Sequence, residues 1–405
     1  MNERVVITGL GVVSSIGIGW KEFWGNLLDG RSGISPVTSF DTANHFTHNG
    51  GEVRDFRAEN FIPGDRLPFM NRATQMAVAS AKLAWDDAGL TADDAAKYTI
   101  GVSHGTTFGS IQTIEIVNDA LMKQSRPDAR MCEQLLTHTV PAFVAKELMV
   151  AGPNMMLSTA CAAGNYAIGY GYDLIRLERA DMMVVGASDP FSRIAFTGFN
   201  QFKAVAPEKC QPFDKDRKGM MVAEGAGALI LESMASAMAR KAPIYAEIAG
   251  YGLSCDAYHM TTSTIEGIAS CMKKALTDAG LVTEDVDYIS AHGTGTQTND
   301  KNECAAIREV FGDRLRKIPV SSIKSMLGHA MGAASALEAI TCALAVKNDM
   351  IPPTTNYETP DPACDIDCVP NRARKHIVNI ALNNSYAFGG NNASLVVKKF
   401  IQRGE

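Results

Sequence analysis

The residue with the clearest chemical potential in this chain is Cys161, which lies in the small-residue segment Ser-Thr-Ala-Cys-Ala-Ala-Gly at positions 158–164. An apolar stretch precedes the segment and a helical pattern follows it from 165 to 177, so we expect the cysteine where a strand passes into a helix. Unpaired N–H groups at a helix start favour the thiolate. Free cysteine is also among the most buried residue types, so a small residue in a tight turn is the competing interpretation.

Two histidines in glycine-rich segments favour the reactive interpretation. His292 follows a predicted strand and precedes Gly-Thr-Gly-Thr at 293–296, and His329 follows Gly328 after a second predicted strand. Open α/β sheets place catalytic groups at such strand ends. A further turn, Phe388-Gly389-Gly390, offers backbone N–H groups to an oxyanion. One cysteine and two imidazoles suit acyl transfer to a thiolate followed by carbon–carbon bond formation, in which the imidazoles stabilise an enolate.

Other classes of site fit the sequence less well. A cysteine protease needs one histidine and an orienting Asn or Asp, and a thiolase needs a second cysteine near the C-terminus, where none follows Cys368. The segment Gly9-x-Gly11-x-x-Ser14 lacks the third glycine of a dinucleotide-binding turn and the acidic strand end about 20 residues later. Cys364 and Cys368 have no matching ligand pair for zinc, so the sequence predicts no metal site.

Composition excludes several functions. The 405 residues are 46% hydrophobic and 20% charged, typical of a globular protein with two domain-sized units. A formal charge of −6 argues against nucleic acid or an anionic membrane as the main partner. No apolar run reaches the ~20 residues of a membrane helix, and the first residues lack the layout of a secretion signal. Nine cysteines without regular spacing indicate reduced thiols, so we expect a cytoplasmic protein.

The predicted elements alternate between short apolar strands and amphipathic helices. The strands are expected at 4–8, 98–103, 182–186, 226–231, 246–251, 288–292, 317–321, 377–382 and 393–398, with helices at 70–88, 264–279 and 332–348 among others. This alternation predicts an α/β protein with mostly parallel, buried strands. The strand and glycine pair at 5–11 are echoed at 246–252, which leaves open either two unrelated turns or a duplicated architecture.

The motifs together resemble the β-ketoacyl synthases of the thiolase superfamily, close to the acyl-carrier-protein-dependent synthases of type II fatty acid and polyketide synthesis. The resemblance runs essentially end to end and rests on these segments: Thr159-Ala160-Cys161, Pro212-Phe213-Asp214, Glu224-Gly225-Ala226-Gly227, Asp256-Ala257-Tyr258-His259, His292-Gly293-Thr294-Gly295-Thr296, Lys324-Ser325-Met326 with Gly328-His329, and Phe388-Gly389-Gly390. It implies a thiolase-like duplicated α-β-α-β-α five-layer fold. The N-terminal half at 1–243 would carry the nucleophilic cysteine, and the C-terminal half at 244–405 would carry both histidines and the lysine.

The resemblance also implies roles for individual residues. Cys161 accepts the acyl group, and His292 and His329 assist decarboxylation of malonyl carrier protein and stabilise the enolate. Lys324, with Glu338, maintains the hydrogen bonding around His329. The N–H groups of Cys161 and Phe388 form the oxyanion hole, and the Phe388 ring gates the pocket. The implied substrate-binding residues are Thr294, Thr296, Phe108, Phe199, Gly389 and Glu338. No metal, nucleotide or redox cofactor is implied, because the substrates are carried on the phosphopantetheine of acyl carrier protein.

Three departures from the fatty-acid synthases leave alternatives open. In the segment that docks the carrier protein, Arg66 and Arg72 are the cations and Asp65 is added, so Lys203 and Lys209 are expected to supply part of the missing charge. Phe108 either shortens the acyl pocket at the subunit interface or is a structural aromatic. The segments at 295–303 and 322–326 look more like those of polyketide ketosynthase subunits.

The favoured hypothesis is therefore a β-ketoacyl synthase, an acyltransferase, in a specialised type II polyketide or polyene pathway. Housekeeping fatty acid elongation is the first alternative. A non-catalytic subunit resembling a chain-length factor is the second. We expect a homodimer, or a heterodimer with a chain-length-factor-like ketosynthase subunit, and acyl carrier protein as the partner.

Overall fold

The structure is a computed structural model that describes residues 3–401, and its centre is one mixed sheet of eleven strands. Residues 3–401 contain fifteen strands in all, eleven in this sheet and four outside it. They are β1 Val5–Ser14, β2 Gly17–Ile18, β3 Ser35–Pro36, β4 Asn49–Gly50, β5 Ile100–Gly105, β6 Asn154–Leu157, β7 Met182–Asp189, β8 Gly225–Ser233, β9 Ala246–Cys255, β10 Tyr288–Ser290, β11 Val320–Ser321, β12 Met350–Ile351, β13 Arg374–Lys375, β14 Ile380–Tyr386 and β15 Asn391–Lys398. β3 with β4 and β12 with β13 form separate two-stranded sheets.

Thirteen α-helices accompany these strands within residues 3–401. They are α1 Trp20–Leu28, α2 Arg72–Asp87, α3 Ala92–Lys97, α4 Ile111–Met122, α5 Met131–Gln134, α6 Thr139–Leu148, α7 Ala163–Arg176, α8 Arg193–Gln201, α9 Met234–Ala239, α10 Ile265–Asp278, α11 Gln297–Phe311, α12 Lys324–Leu327 and α13 Gly332–Asn348. None of the helices described combines the length and apolar character needed to cross a bilayer.

The strand order shows that the architecture is duplicated. The main path runs β11-β10-β14-β15-β9-β1-β8-β7-β5-β6. The first half contributes β1-β8-β7-β5-β6, and the second half repeats this order as β9-β15-β14-β10-β11. The halves meet where β1 pairs with β9, with Val5 opposite Ile248 and Ile7 opposite Ala246. The two segments of the sequence echo therefore lie side by side, and the duplicated interpretation is confirmed. The exact domain boundary between 243 and 244 stays a prediction.

The expectation of mostly parallel strands is wrong. Among the strands described within residues 3–401, parallel pairing is confined to β5 with its neighbours β6 and β7, and to β10 with its neighbours β11 and β14. The pairs β1–β8, β1–β9, β7–β8, β14–β15 and β9–β15 are antiparallel. Helices cover both faces of this sheet, so its antiparallel strands are also buried on both sides and read as continuous apolar runs. Such a run does not reveal strand direction.

The layers explain why one helix is apolar on every side. α13 is buried from Gly332 to Val346 and packs on strands of both halves, with α7 beside it. α2 and α6 cover the outer face of the first half, and α10 and α11 cover that of the second half. This is the expected α-β-α-β-α arrangement. A helix hydrophobic all round is a helix of the core, and α13 has the bounds that the sequence predicts.

Candidate active site

Three residues that are far apart in the sequence meet in one buried cavity. The Cys161 sulfur and ring nitrogens of His292 and His329 all lie within 4.8 Å of one another. The two imidazole rings are 5.4 Å apart and nearly perpendicular, at 82°. All three side chains line a cavity of about 370 Å³. The strand ends after β6, β10 and β11 supply these residues, as expected for an α/β site.

The backbone holds Cys161 in a strained turn. Ala160 has a φ of 49°, in the left-handed region that is unfavourable for a residue with a Cβ. The Ser385 hydroxyl donates to the Cys161 carbonyl at 2.9 Å, which ties the turn to the end of β14. Within residues 3–401, the N–H groups of Cys161 and Phe388 have no backbone acceptor. Both are therefore available to a substrate oxygen.

Burial controls the protonation state of the site. Desolvation raises the pKa of the Cys161 thiol to about 12, and the lowering by Lys324 and by the backbone N–H of Cys161 does not compensate for it. The expectation that the helix start favours a resting thiolate is therefore wrong. Burial, followed by the Lys324 charge, holds the pKa of His292 and His329 well below the ordinary value. A neutral thiol thus faces two neutral imidazoles.

Neighbouring groups hold the His329 ring and the backbone at His292. The Met331 N–H donates to Nδ1 of His329 at 3.2 Å, which leaves the His329 proton on Nε2, where it is a hydrogen-bond donor. The Glu303 carboxylate accepts the backbone N–H groups of His292 and Gly293, each at 2.8 Å, and so fixes the turn that carries His292. Burial raises the pKa of Glu303 to about 8. Sequence reasoning missed Glu303, although its position on the buried face of α11 was the available signal.

Lys324 is a buried cation. Its ammonium group pairs with the Glu338 carboxylate, and each side chain is only 1% exposed. Burial raises the pKa of Glu338 to about 7, against the lowering by Lys324. Lys324 acts on the pKa of Cys161 and both histidines. The structure thus brings Lys324 and Glu338 to the site that the resemblance implied for them.

A second buried acid, Asp189, was not predicted. Its carboxylate accepts the N–H groups of Thr107, Phe108 and Gly332 at 2.7–3.1 Å and the Thr106 hydroxyl at 2.9 Å. It ties the Phe108 loop to the start of α13. Phe108 packs behind the cavity wall, against a cluster that contains Phe191, Phe196, Phe199 and Met331.

The cavity mouth combines hydroxyls, aromatic rings and lysines. The hydroxyls of Thr294 and Thr296 lie 2.9 Å apart, and both residues line the cavity. Phe199 and Phe388 also line the cavity, with their ring centroids 5.9 Å apart. Lys203, which the sequence singled out, lies at the mouth with its side chain exposed, and Lys218 stands beside the same opening.

Arg72, which the sequence predicts to dock the carrier, is engaged in an ion pair within the fold, and its docking role stays a prediction. Its guanidinium forms two hydrogen bonds of 2.6 Å to the Glu224 carboxylate, which is 1% exposed, and a third to the Val53 carbonyl. Arg66 is paired with Glu147. Arg72 therefore neutralises a buried acid, and its charge stabilises the fold. Lys209 is likewise paired, with Glu358.

The duplicated fold and a cysteine facing two neutral imidazoles define a condensing enzyme of the thiolase type. The family model for the beta-ketoacyl synthase N-terminal domain matches residues 2–237, and that for the C-terminal domain matches residues 245–358. The chain belongs to the β-ketoacyl synthase family and is an acyltransferase-type condensing enzyme with β-ketoacyl-acyl-carrier-protein synthase activity.

Similar proteins include a 3-oxoacyl-[acyl-carrier-protein] synthase and chains of ketosynthase structures. The chain is 39% identical to 3-oxoacyl-[acyl-carrier-protein] synthase 2 of Synechocystis sp., over 98% of each protein. It is 46% identical to a chain of the ishigamide ketosynthase/chain length factor structure, with a TM-score of 0.96 over 99% of this chain and 100% of that one. It is 33% identical to a chain of AntDE:AntF, a type II PKS acyl-carrier protein in complex with its ketosynthase, with a TM-score of 0.91 over 99% and 100%.

Proposed function

We propose that the protein holds an acyl chain on Cys161 and condenses it with malonyl carrier protein, which extends the chain by two carbons. The observation that carries this proposal is the approach of the Cys161 sulfur to both imidazoles, within 4.8 Å in one buried cavity. A single imidazole suffices for acyl transfer alone. The second imidazole is explained by a second step, in which negative charge develops on another thioester.

In the first step the Cys161 sulfur attacks the acyl thioester carbonyl of the carrier. Because the thiol is protonated at rest, an adjacent neutral imidazole takes its proton as the carbon–sulfur bond forms. The free N–H groups of Cys161 and Phe388 stabilise the tetrahedral oxyanion. The bond to the carrier sulfur then breaks, and that sulfur leaves with the proton.

In the second step malonyl carrier protein loses carbon dioxide, and the electrons of the broken bond form an enolate. The enolate oxygen accepts hydrogen bonds from Nε2 of His329 and from His292. Its carbon attacks the acyl group on Cys161, the thioester bond breaks, and the released thiolate takes up a proton from solvent. The electrons balance without an oxidant or reductant. Thr294 and Thr296, which line the cavity, bind the phosphopantetheine arm in this proposal.

For the pathway we favour specialised polyketide or polyene synthesis. The support is the 46% identity to the ishigamide ketosynthase/chain length factor, compared with 39% to 3-oxoacyl-[acyl-carrier-protein] synthase 2. The latter relative supports fatty acid elongation as the second candidate. A non-catalytic partner subunit is disfavoured because Cys161, His292, His329 and Lys324 are all present and assembled.

For the partners we propose acyl carrier protein and a second ketosynthase-like subunit, either identical or resembling a chain-length factor. α4 exposes Ile114, Ile116, Leu121 and Met122 by 49–78%, an apolar surface suited to a subunit contact. Lys203 and Lys218 offer positive charge to an acidic carrier at the mouth. Purification alone and together with the neighbouring gene products separates the two oligomers: a homodimer contradicts obligate pairing with a chain-length factor.

Intact-mass measurement after incubation with acyl carrier proteins tests the nucleophile. The acyl mass should appear on the wild type and on Cys132→Gln, a control at an exposed cysteine, but not on Cys161→Gln. Cys161→Gln should still release carbon dioxide from malonyl carrier protein. Acylation of Cys161→Gln, or failure of every saturated and unsaturated acyl donor on the wild type, contradicts the proposal.

A further inference from the structure

Three aromatic rings form a cluster at the cavity mouth, which we call the mouth cluster: Phe199, Phe202 and Phe388. The Phe388 ring centroid lies 5.9 Å from that of Phe199 and 6.4 Å from that of Phe202, and Phe199 and Phe202 are 6.5 Å apart. The interplanar angles of 48–76° are tilted or edge-to-face, the arrangements that aromatic quadrupoles favour. Phe199 is buried, whereas Phe202 is 64% exposed.

Two rings of the mouth cluster belong to one firmly held element. Phe199 lies in α8, whose first turn is capped by the Ser192 hydroxyl accepting the Ala195 N–H at 3.1 Å. Phe202 follows the last residue of α8, and its N–H donates to the Gly198 carbonyl at 3.0 Å. This side of the cluster is therefore a fixed support for the third ring.

The third ring belongs to a short turn at the nucleophile. Gly389 and Gly390 follow Phe388 with φ values of 82° and 77°, a conformation that glycine adopts readily. A Cβ added at Gly389 would meet only Asn391, whereas one at Gly390 would lie 2.8 Å from the Asp256 Cβ, so the free space is on the Gly389 side of the turn. Ala387, on the other side of Phe388, packs directly on Cys161. A movement of the Phe388 ring would therefore open the space over the Cys161 sulfur.

We propose that Phe202 is a positioning residue whose ring holds Phe388 over Cys161 and thereby sets how often the cavity is closed. This inference rests on the proposed function, because the access it controls is access to the acyl-accepting sulfur. Most of the Phe202 ring faces solvent, so burial of that ring does not account for its position. An aromatic pair of this kind shifts a closed-to-open equilibrium by about two- to tenfold.

The test is the alkylation rate of Cys161 by iodoacetamide, which requires no carrier protein. Phe202→Ala should raise this rate about two- to tenfold. Phe202→Tyr keeps the ring and should retain the wild-type rate. The matched control is Phe46→Ala, which removes a phenyl group that is 62% exposed and lies outside the cavity lining, and it should leave the rate unchanged. Release of carbon dioxide without an acyl donor should rise in Phe202→Ala in parallel.

The inference is overturned if Phe202→Ala is alkylated at the wild-type rate, or if Phe46→Ala changes the rate by the same factor. Phe202→Leu keeps apolar bulk without a ring, so it provides a second test should the alanine variant unfold. Its alkylation should also be faster than that of the wild type, and an unchanged rate overturns the inference. If the wild type fails to take acyl groups from any carrier, the proposed function fails while the alkylation comparison still decides the role of Phe202.

Discussion

The buried Lys324–Glu338 pair predicts that removing one partner has a different effect from removing the other. Each side chain is 1% exposed, and a buried charge without its partner is strongly destabilising. The pKa of Glu338 is raised to about 7 even with the cation beside it. Without the cation this carboxyl group becomes neutral near pH 7. Without the carboxylate, the ammonium group would be a buried charge with no partner.

These properties set the expected magnitudes. Lys324→Met should cost about 1 kcal/mol at pH 7, the contribution of one hydrogen bond, because neutralising Glu338 requires almost no free energy there. Glu338→Gln should cost more, about 3–5 kcal/mol, the usual cost of breaking a buried pair and leaving one charge without a partner. Activity should follow the opposite order. Lys324→Met removes the charge that lowers the pKa of Cys161, whereas Glu338→Gln retains it.

Chemical denaturation at pH 7 and acylation of Cys161, measured on both single variants and the double variant Lys324→Met/Glu338→Gln, test this order. Because the folded pKa of Glu338 lies above 4.5, the stability contributed by its protonated form is complete below about pH 4.5 and is lost as the pH rises through about 7. In Lys324→Met this loss should extend to higher pH. The reasoning is refuted if Lys324→Met loses as much stability as Glu338→Gln, or if Glu338→Gln acylates more slowly than Lys324→Met.

Further predictions concern the thiol, the enolate and the carrier. Since the pKa of Cys161 is raised to about 12, its alkylation rate should climb about tenfold per pH unit up to pH 9, and a plateau below pH 8 would contradict this. His329→Ala should slow malonyl decarboxylation about 10²–10³-fold, the usual effect of losing one donor to a developing anion, and an unchanged rate argues against its role. Arg72→Gln should cost about 3 kcal/mol of stability, because it leaves the buried Glu224 carboxylate without its partner. The same variant should leave the KM for carrier protein unchanged. Lys203→Glu should raise that KM without loss of stability, and the reverse pattern would restore Arg72 as the docking residue.

The local patterns of the chain predict much of the fold. The helix expected at 332–348 is α13, and the helix expected at 264–279 differs from α10 by one residue at each end. Both helices were predicted correctly because apolar periodicity and flanking caps act within a few residues. The prediction of strand direction failed because direction depends on how the chain returns to the sheet after a long connection. The same buried runs serve parallel β5 and antiparallel β1.

In the candidate site, too, the residues with a local sequence signal were predicted and those that depend on long-range contacts were not. Glycine-flanked Cys161, His292, His329 and Phe388 were identifiable, because their turns require small residues next to the reactive group. Asp189 and Glu303 escaped notice, since a buried acid that accepts backbone N–H groups has no sequence pattern of its own. The ion pair of Arg72 was not predictable either, because its partner Glu224 lies 152 positions away in the chain.

By itself the sequence determined which groups are present and the order of the turns that carry them, and through the resemblance it determined the family. Only the tertiary structure decided their protonation and availability. The Cys161 thiol is neutral at rest because the packed halves of the molecule exclude water from it, although it stands at a helix start. Desolvation and ion pairing act through space over a few ångströms, and the neighbours that cause them come from remote parts of the chain.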